Sequence, residues 1–252
     1  KVGAAIGLFD DERAERLVEA GVDALVLDIA HCHHEKALEK IEKFSSLYPG
    51  TVLVAGNVAT GEGARDLEAA GADIVKVGIG PGSACTTRKV AGAGVPQFTA
   101  VKECVEAVEV PVIADGGIRE PGDLAKALMA GAAAGMIGGL LAGTDEAPGE
   151  VITEDGEKKK VYRGMASYEA AQKRAEREGR EFSYEDRVAE GVDSTTTYRG
   201  SLGDMVHRLQ GGLRSAISYC GADELSKARE NSEFIKISNS TQSRNGAHME
   251  SL

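Results

Sequence analysis

The chain of 252 residues is 42% hydrophobic and 27% charged, which is typical of a globular protein with a sizeable core. Its formal net charge of -11 and its 4% content of aromatic residues disfavour binding to nucleic acid or to an anionic membrane. There is no apolar run of the roughly 18 residues that a membrane helix needs, no secretion signal and no paired spacing among the cysteines, so we expect a cytoplasmic protein without disulfides.

The first 140 residues alternate between short apolar runs and charged amphipathic stretches. The runs are rich in Val, Ile and Ala and predict parallel strands, and the stretches between them predict helices that cover the sheet. The predicted strands are residues 2–7, 24–30, 52–58, 74–80, 110–117 and 133–139. The predicted helices are residues 11–20, 34–48, 61–70, 98–108 and 120–130.

Six βα units make up most of a TIM (β/α)8 barrel. The chain starts at Lys1-Val2-Gly3, without a methionine and inside the first apolar run. We therefore expect an α/β protein whose TIM barrel lacks its first two strands in this chain, with an N-terminal portion missing.

The pattern changes after residue 143. Around Asp155-Gly156 the sequence predicts a charged β-hairpin, and the polar stretch that follows it predicts either a mobile flap at the active site or a surface loop. The predicted elements of this part are hairpin strands 151–153 and 160–162, a helix at 167–180, an irregular segment at 181–197, a helix at 202–219 and a short strand at 234–237.

Four regions follow from these elements. They are residues 1–143 as barrel βα units, 144–200 as an inserted hairpin and mobile flap, 201–237 as a C-terminal barrel helix and short strand, and 238–252 as a flexible tail.

Polar residues follow the apolar runs at the positions where barrel strands would end. Barrel enzymes bind their ligands at the C-terminal ends of the strands. The sequence therefore predicts a ligand site at that edge. The strand-end residues are Asp28, Asn57, the segment 80–85, Asp115-Gly116-Gly117 and Gly138-Gly139.

The segment 78–89 is the strongest candidate for the chemistry. Gly78, Gly80 and Gly82 permit sharp turns and close approach of a ligand, and Cys85 follows them directly. A thiol on such a turn is a candidate nucleophile, and Thr87 is placed to orient a water or a leaving amine. A tight turn with a small buried cysteine and a helix-capping threonine are the alternative interpretations.

Glycine pairs at two neighbouring strand ends offer backbone amides to a phosphate. With Ser83, the pairs Gly116-Gly117 and Gly138-Gly139 predict a shared phosphate cradle, although barrel turns alone also favour glycine. Asp115, between its strand and its glycines, is suited to bind both hydroxyls of a ribose. The contiguous His31-Cys32-His33-His34 does not predict a metal site, because neighbours on a strand point to opposite faces.

At residues 76–87 the sequence closely resembles the IMP dehydrogenase and GMP reductase family. Further blocks in family order are residues 2–7, 27–30, 55–60, 114–119, 142–150, 162–165 and 211–215. The resemblance implies a TIM barrel, usually a homotetramer, that binds a purine 5′-monophosphate (GMP, IMP or XMP) and NADPH or NAD as cofactor.

The resemblance also implies roles for single residues. Cys85 would attack C2 of the purine and form a covalent thioimidate, with Thr87 beside it. Asp115 would bind the ribose hydroxyls, and Asp28 and Asn57 would lie at the cofactor. The phosphate would be held by Ser83, Gly117, Gly138, Gly139 and Tyr162, the base by Met165 and Glu190, and a potassium ion by the carbonyls of Gly80, Gly82 and Cys85.

The two family reactions run in opposite directions. A dehydrogenase needs an Arg-Tyr pair to activate water, whereas here Arg180 is followed by Glu181. The catalytic glutamate of the reductases is expected where Tyr168 stands, with Glu169 one place on. We expect a GMP reductase, since loss of the tyrosine harms hydrolysis more than deamination. The alternatives are an IMP dehydrogenase and a paralogue that senses purine nucleotides without turnover.

Overall fold

A computed structural model describes residues 1–164, 167–177, 183, 189, 191 and 193–238. Its larger sheet has six parallel strands whose spatial order is their order along the chain. Each crossover therefore leads to the neighbouring strand, the connectivity of a TIM barrel. The strands are β1 (Gly3–Ile6), β2 (Ala24–Asp28), β3 (Val52–Val58), β4 (Ile74–Val77), β5 (Val112–Asp115) and β6 (Ala134–Met136).

Helices connect these strands, as the apolar periodicity predicts. The five long predicted helices are confirmed with ends shifted by at most a few residues. Strand β3 has the predicted bounds, whereas the other five strands are shorter than their apolar runs, because the last residues of those runs leave the sheet as loops. The helices of this part are α1 (Asp11–Glu19), α2 (Glu35–Leu47), α3 (Gly61–Ala69), α4 (Thr87–Val90), α5 (Gln97–Val105), α6 (Pro121–Met129) and α7 (Gly139–Ala142).

The core lies between the parallel sheet and its helices. Val75 and Val77 of β4 are fully buried in it, together with Phe44 of α2 and Val101 of α5. Each such side chain contributes about 1.5–3 kcal/mol when it leaves water. The core fixes the strands, and through them the loops at their C-terminal ends.

A second sheet contains three antiparallel strands, β7 (Val151–Glu154), β8 (Glu157–Arg163) and β9 (Asp193–Thr197). The predicted hairpin is confirmed: Val151 pairs with Lys160, and Asp155 and Gly156 turn with φ of 53° and 81°. The prediction that residues 181–197 are irregular is wrong for residues 193–197, which pair with β8. Their Thr-rich sequence lacks an apolar alternation but suits an exposed strand.

The remaining helices are α8 (Tyr168–Arg177), α9 (Leu202–Tyr219) and α10 (Leu225–Asn231). Helix α9 has the predicted bounds, and α10 was not predicted. The expected strand at 234–237 does not form. Instead the Phe234 ring centroid lies 4.6 Å from that of Phe98 in α5, and Ile235 is 82% exposed. Among the described residues no helix has the length and apolar character needed to cross a membrane.

Candidate active site at the strand ends

The Lys76 ammonium group contacts three of the predicted strand-end residues. Lys76 alternates with the core residues Val75 and Val77, so its side chain points to the opposite face of β4, where it is 1% exposed. Its ammonium group lies 2.6 Å from Asp115 Oδ2 and 3.2 Å from Asp28 Oδ1, and it donates to Asn57 Oδ1. The predicted side chains of β2, β3 and β5 therefore form one polar network.

Asn57 connects this network to the loop after β4. Its Nδ2 donates to Asp115 Oδ2 at 2.9 Å and to the Gly78 carbonyl at 2.7 Å. Gly78 has φ of 151°, and a β-carbon there would overlap the Asp115 carbonyl oxygen. Glycine is thus required where the loop leaves the sheet.

Cys85 and Thr87 are in direct contact on this loop. Cys85 Sγ lies 3.2 Å from Thr87 Oγ1. The Cys85 side chain is half-buried. The backbone amide of Cys85 donates to the Gly82 carbonyl at 3.0 Å, and the backbone of Cys85 pairs with that of Gly191 in an antiparallel β-bridge outside the named strands. The arrangement places a half-buried thiol next to a hydroxyl group, which suits a nucleophile with a proton-handling neighbour.

Arg88 holds the far side of the same loop. Its guanidinium donates to the carbonyls of Ile79 at 3.3 Å and Val95 at 2.5 Å. The Arg88 side chain also passes close to Gly80 and Gly94, where a β-carbon would lie 2.6 Å and 2.8 Å from its Cγ. Arg88 thus supports the turn that carries Gly80, Gly82 and Cys85.

The predicted phosphate residues also come together. A β-carbon at Gly139 would overlap Ser83 Oγ, and one at Gly138 would lie 3.3 Å from the Tyr162 hydroxyl oxygen. Gly117 lies against the same loop, with its β-carbon position 3.5 Å from Pro81 Cβ. The loop, the glycine pairs and the hairpin therefore meet at one place, where backbone amides and hydroxyl groups are the polar groups, a chemistry suited to a phosphate.

The two core cysteines differ from Cys85 in their environment. Cys32 and Cys104 are fully buried, and this burial raises the pKa of each thiol to about 12. Nearby, His33 Nε2 lies 2.7 Å from Asp66 Oδ2, and His34 accepts a hydrogen bond from Ala37 N at the start of α2. Over the described ranges no three His, Cys, Asp or Glu side chains are grouped so that they could hold a metal ion.

For four of the predicted site residues the structure describes no side chain. Met165, Arg180 and Glu190 lie outside the described residues. Glu169 contributes backbone to α8, but its side chain is also outside the description.

Two site residues, Lys76 and Arg88, were not found from the sequence. For Lys76 a signal existed, since a charged residue inside the apolar run Ile74-Val75-Lys76-Val77 must find buried partners. For Arg88 no local signal distinguishes it from an exposed charge at the start of a helix.

Comparison with known proteins gives one consistent result. A family model described as "IMP dehydrogenase / GMP reductase domain" matches residues 1–248. An inosine-5′-monophosphate dehydrogenase of Aquifex aeolicus is 50% identical over 244 residues, which are 94% of this chain and 50% of that protein. A GMP reductase of Leishmania major is 46% identical over 256 residues, which are 98% of this chain and 52% of that protein.

The solved structures include a GMP reductase variant from Trypanosoma brucei in complex with guanosine 5′-monophosphate. It superposes with a TM-score of 0.92 at 44% identity, covering 99% of this chain and 52% of that one. The chain thus spans about half the length of the relatives that it matches.

Proposed function

The chain belongs to the IMP dehydrogenase / GMP reductase family, and we propose that its protein reduces GMP to IMP with NADPH and releases ammonia. The observation that carries this proposal is the 3.2 Å contact between Cys85 Sγ and Thr87 Oγ1 beside the cradle of Ser83 and Gly139. It combines a candidate nucleophile with a candidate phosphate site in one loop. The six parallel strands would be part of a TIM barrel whose first two strands lie outside this chain, and the usual family assembly is a homotetramer.

The nucleotide would lie across the strand ends. Its phosphate would contact Ser83, Tyr162 and the amides of Gly117, Gly138 and Gly139. Its ribose hydroxyls would bond to the Asp115 carboxylate, and the base would extend towards Cys85, with Met165 and Glu190 on its edge. The contact between Ser83 and Gly139 supports this placement, since a side chain at position 139 would fill the cradle.

The reaction has three parts at purine C2. The Cys85 sulfur adds to C2, and the C2–N2 bond breaks as the amino group accepts a proton and leaves as ammonia. Thr87 Oγ1 orients the leaving amine, and Glu169 is the candidate acid. The resulting thioimidate carbon accepts a hydride, after which the C2–S bond breaks and IMP is released.

NADPH would supply that hydride when bound, and Asp28 at the end of β2 fits one of its hydroxyl groups. Asn57 at the end of β3 would act from within the polar network, since its amide already donates to the Gly78 carbonyl and to Asp115. Asp28 is half-exposed and has one carboxylate oxygen in contact with Lys76, so its other oxygen can accept a hydrogen bond. The carbonyls of Gly80, Gly82 and Cys85 are oxygen donors of the kind that suits potassium, and a bound ion would order the Cys85 turn.

The direction of the reaction rests on Arg180-Glu181. A tyrosine paired with arginine would favour attack by water, and its replacement by glutamate favours deamination. The second candidate is IMP dehydrogenase, which the 50% identity to the Aquifex aeolicus enzyme supports.

A paired assay on the full-length protein tests the direction. We expect loss of NADPH absorbance with GMP and no NADH formation from IMP with NAD. NADH formation from IMP without turnover of GMP would establish the dehydrogenase instead. Nucleotide binding without either turnover would indicate a sensor, and mass spectrometry for a nucleotide adduct on Cys85 would then show whether the thiol still reacts.

A further inference from the structure

We propose that Lys76 is a positioning residue that fixes the Asp115 carboxylate with one oxygen anchored and the other open to the ribose hydroxyls of the nucleotide. This inference rests on the proposed function, because it assumes a nucleotide at the strand ends. It assigns to a buried lysine a role in distinguishing a ribonucleotide from its 2′-deoxy analogue.

The two oxygens of Asp115 have different surroundings. Oδ2 accepts from Lys76 Nζ at 2.6 Å and from Asn57 Nδ2 at 2.9 Å. Oδ1 has no hydrogen bond from any described residue, while the Asp115 side chain as a whole is 24% exposed. A carboxylate oxygen that is reachable and unsatisfied accepts hydroxyl donors well.

Lys76 is also the charge that permits this arrangement. The carboxylates of Asp115 and Asp28 both approach its ammonium group, at 2.6 Å and 3.2 Å, and the Asn57 carbonyl oxygen does so too. Without the ammonium group, two like charges and a third acceptor would face each other with no cation between them. We expect Asp115 to rotate away from Asp28 and to lose the orientation of Oδ1.

The test compares binding of GMP and 2′-deoxy-GMP by isothermal titration calorimetry, in the full-length protein and in its Lys76→Met variant. A hydrogen bond to a charged group is strong, so we expect the wild type to prefer GMP by about tenfold. In Lys76→Met the preference should fall to about twofold. The ratio of the two dissociation constants cancels any loss of affinity that both nucleotides share.

Lys160→Met is the matched control. Lys160 is also buried, but its ammonium group donates to the backbone carbonyls of Thr144, Asp145 and Ala147. The Lys160→Met substitution also removes a buried ammonium group, but it changes no contact of Asp115. We expect this variant to keep the tenfold preference, even where it is less stable.

An unchanged preference in Lys76→Met overturns the inference, as does an equal loss of preference in Lys160→Met. If circular dichroism shows that Lys76→Met does not fold, Lys76→Gln is measured instead, because glutamine keeps a hydrogen-bond donor but carries no charge. We expect Lys76→Gln to show an intermediate preference for GMP, and an unchanged preference would contradict the inference. Failure of the proposed function is read separately, from the paired turnover assay with GMP and IMP, and a wild type that bound neither nucleotide would show that the strand ends hold no nucleotide at all. Equal binding of both nucleotides by the wild type would contradict only the assignment at Asp115.

Discussion

The loops after β2 and after β4 both carry a cysteine at the same edge of the sheet, yet they place it differently. Cys32, after β2, is fully buried, and burial raises the pKa of its thiol to about 12. Cys85, after β4, is half-buried and touches the Thr87 hydroxyl. Position at the C-terminal edge of parallel strands therefore does not by itself make a cysteine a nucleophile.

The backbone of the two loops explains the difference. The Cys32 amide donates to the Asn57 carbonyl at 2.8 Å, which holds the β2 loop flat against the end of β3. The β4 loop has positive φ at Gly78 and Gly80 and is supported from outside by Arg88. Glycine and an external arginine allow it to leave the core and present its sulfur.

Replacing each cysteine by alanine should give the largest difference between the two loops. Cys85→Ala should lower turnover of the purine nucleotide by at least about a thousandfold, because a lost nucleophile has no substitute in its site. Cys32→Ala should keep turnover within about threefold, since it removes only a packed side chain. Steady-state rates on folded protein give both numbers.

Comparable losses in the two variants would show that Cys85 acts through the stability of its loop. Nucleotide affinity serves as the control: it should change little in Cys85→Ala, because the cradle and the ribose carboxylate remain.

Gly139→Ala tests whether the phosphate lies between Gly139 and the β4 loop. A β-carbon there would overlap Ser83 Oγ, so Ser83 must rotate out of the cradle. Such overpacking costs about 1–3 kcal/mol, and we expect nucleotide affinity to fall about tenfold to a hundredfold. Gly122→Ala is the control, since its β-carbon would meet no atom within 4 Å. Equal affinity of the Gly139 variant and wild type would place the phosphate elsewhere.

The sequence was sufficient to predict the larger sheet because its apolar runs alternate regularly with charged amphipathic stretches. The same regularity located Asp28, Asn57 and Asp115 at one edge, since parallel strands all end there. The strand β9 was not predicted because its polar sequence shows no alternation of apolar residues, and α10 was not predicted because it is short and mostly polar.

Side-chain networks were harder to foresee than strand ends. The contact of Cys85 with Thr87 follows from their spacing, two residues apart on a turn. The convergence on Lys76 depends on register instead: Asp28 aligns with Gly56, and Lys76 aligns with Gly56 and Ile113. Register between strands far apart in sequence is fixed by packing, which local patterns do not encode.

The buried thiols differ from Cys85 in that burial couples their ionisation to the stability of the fold. In the folded chain burial raises the thiol pKa of Cys32 and of Cys104 to about 12, whereas the ordinary thiol pKa, which applies in the unfolded chain, is 9.0. The stability that these neutral thiols contribute is therefore complete below pH 9 and is lost as the pH rises from 9 towards 12. Each cysteine should lower the free energy of unfolding by about 1.4 kcal/mol per pH unit in that window.

Urea unfolding of the wild type and of a Cys32→Ala/Cys104→Ala variant between pH 9 and pH 10.5 measures this loss. The variant is less stable at pH 8 because it lacks two packed sulfurs, but its stability should fall less steeply with pH. Lysines and tyrosines titrate in both proteins, so the difference between the two slopes belongs to the thiols. Parallel slopes would mean that water reaches Cys32 in the folded state, and the contrast with Cys85 would then rest on the Thr87 hydroxyl and not on burial.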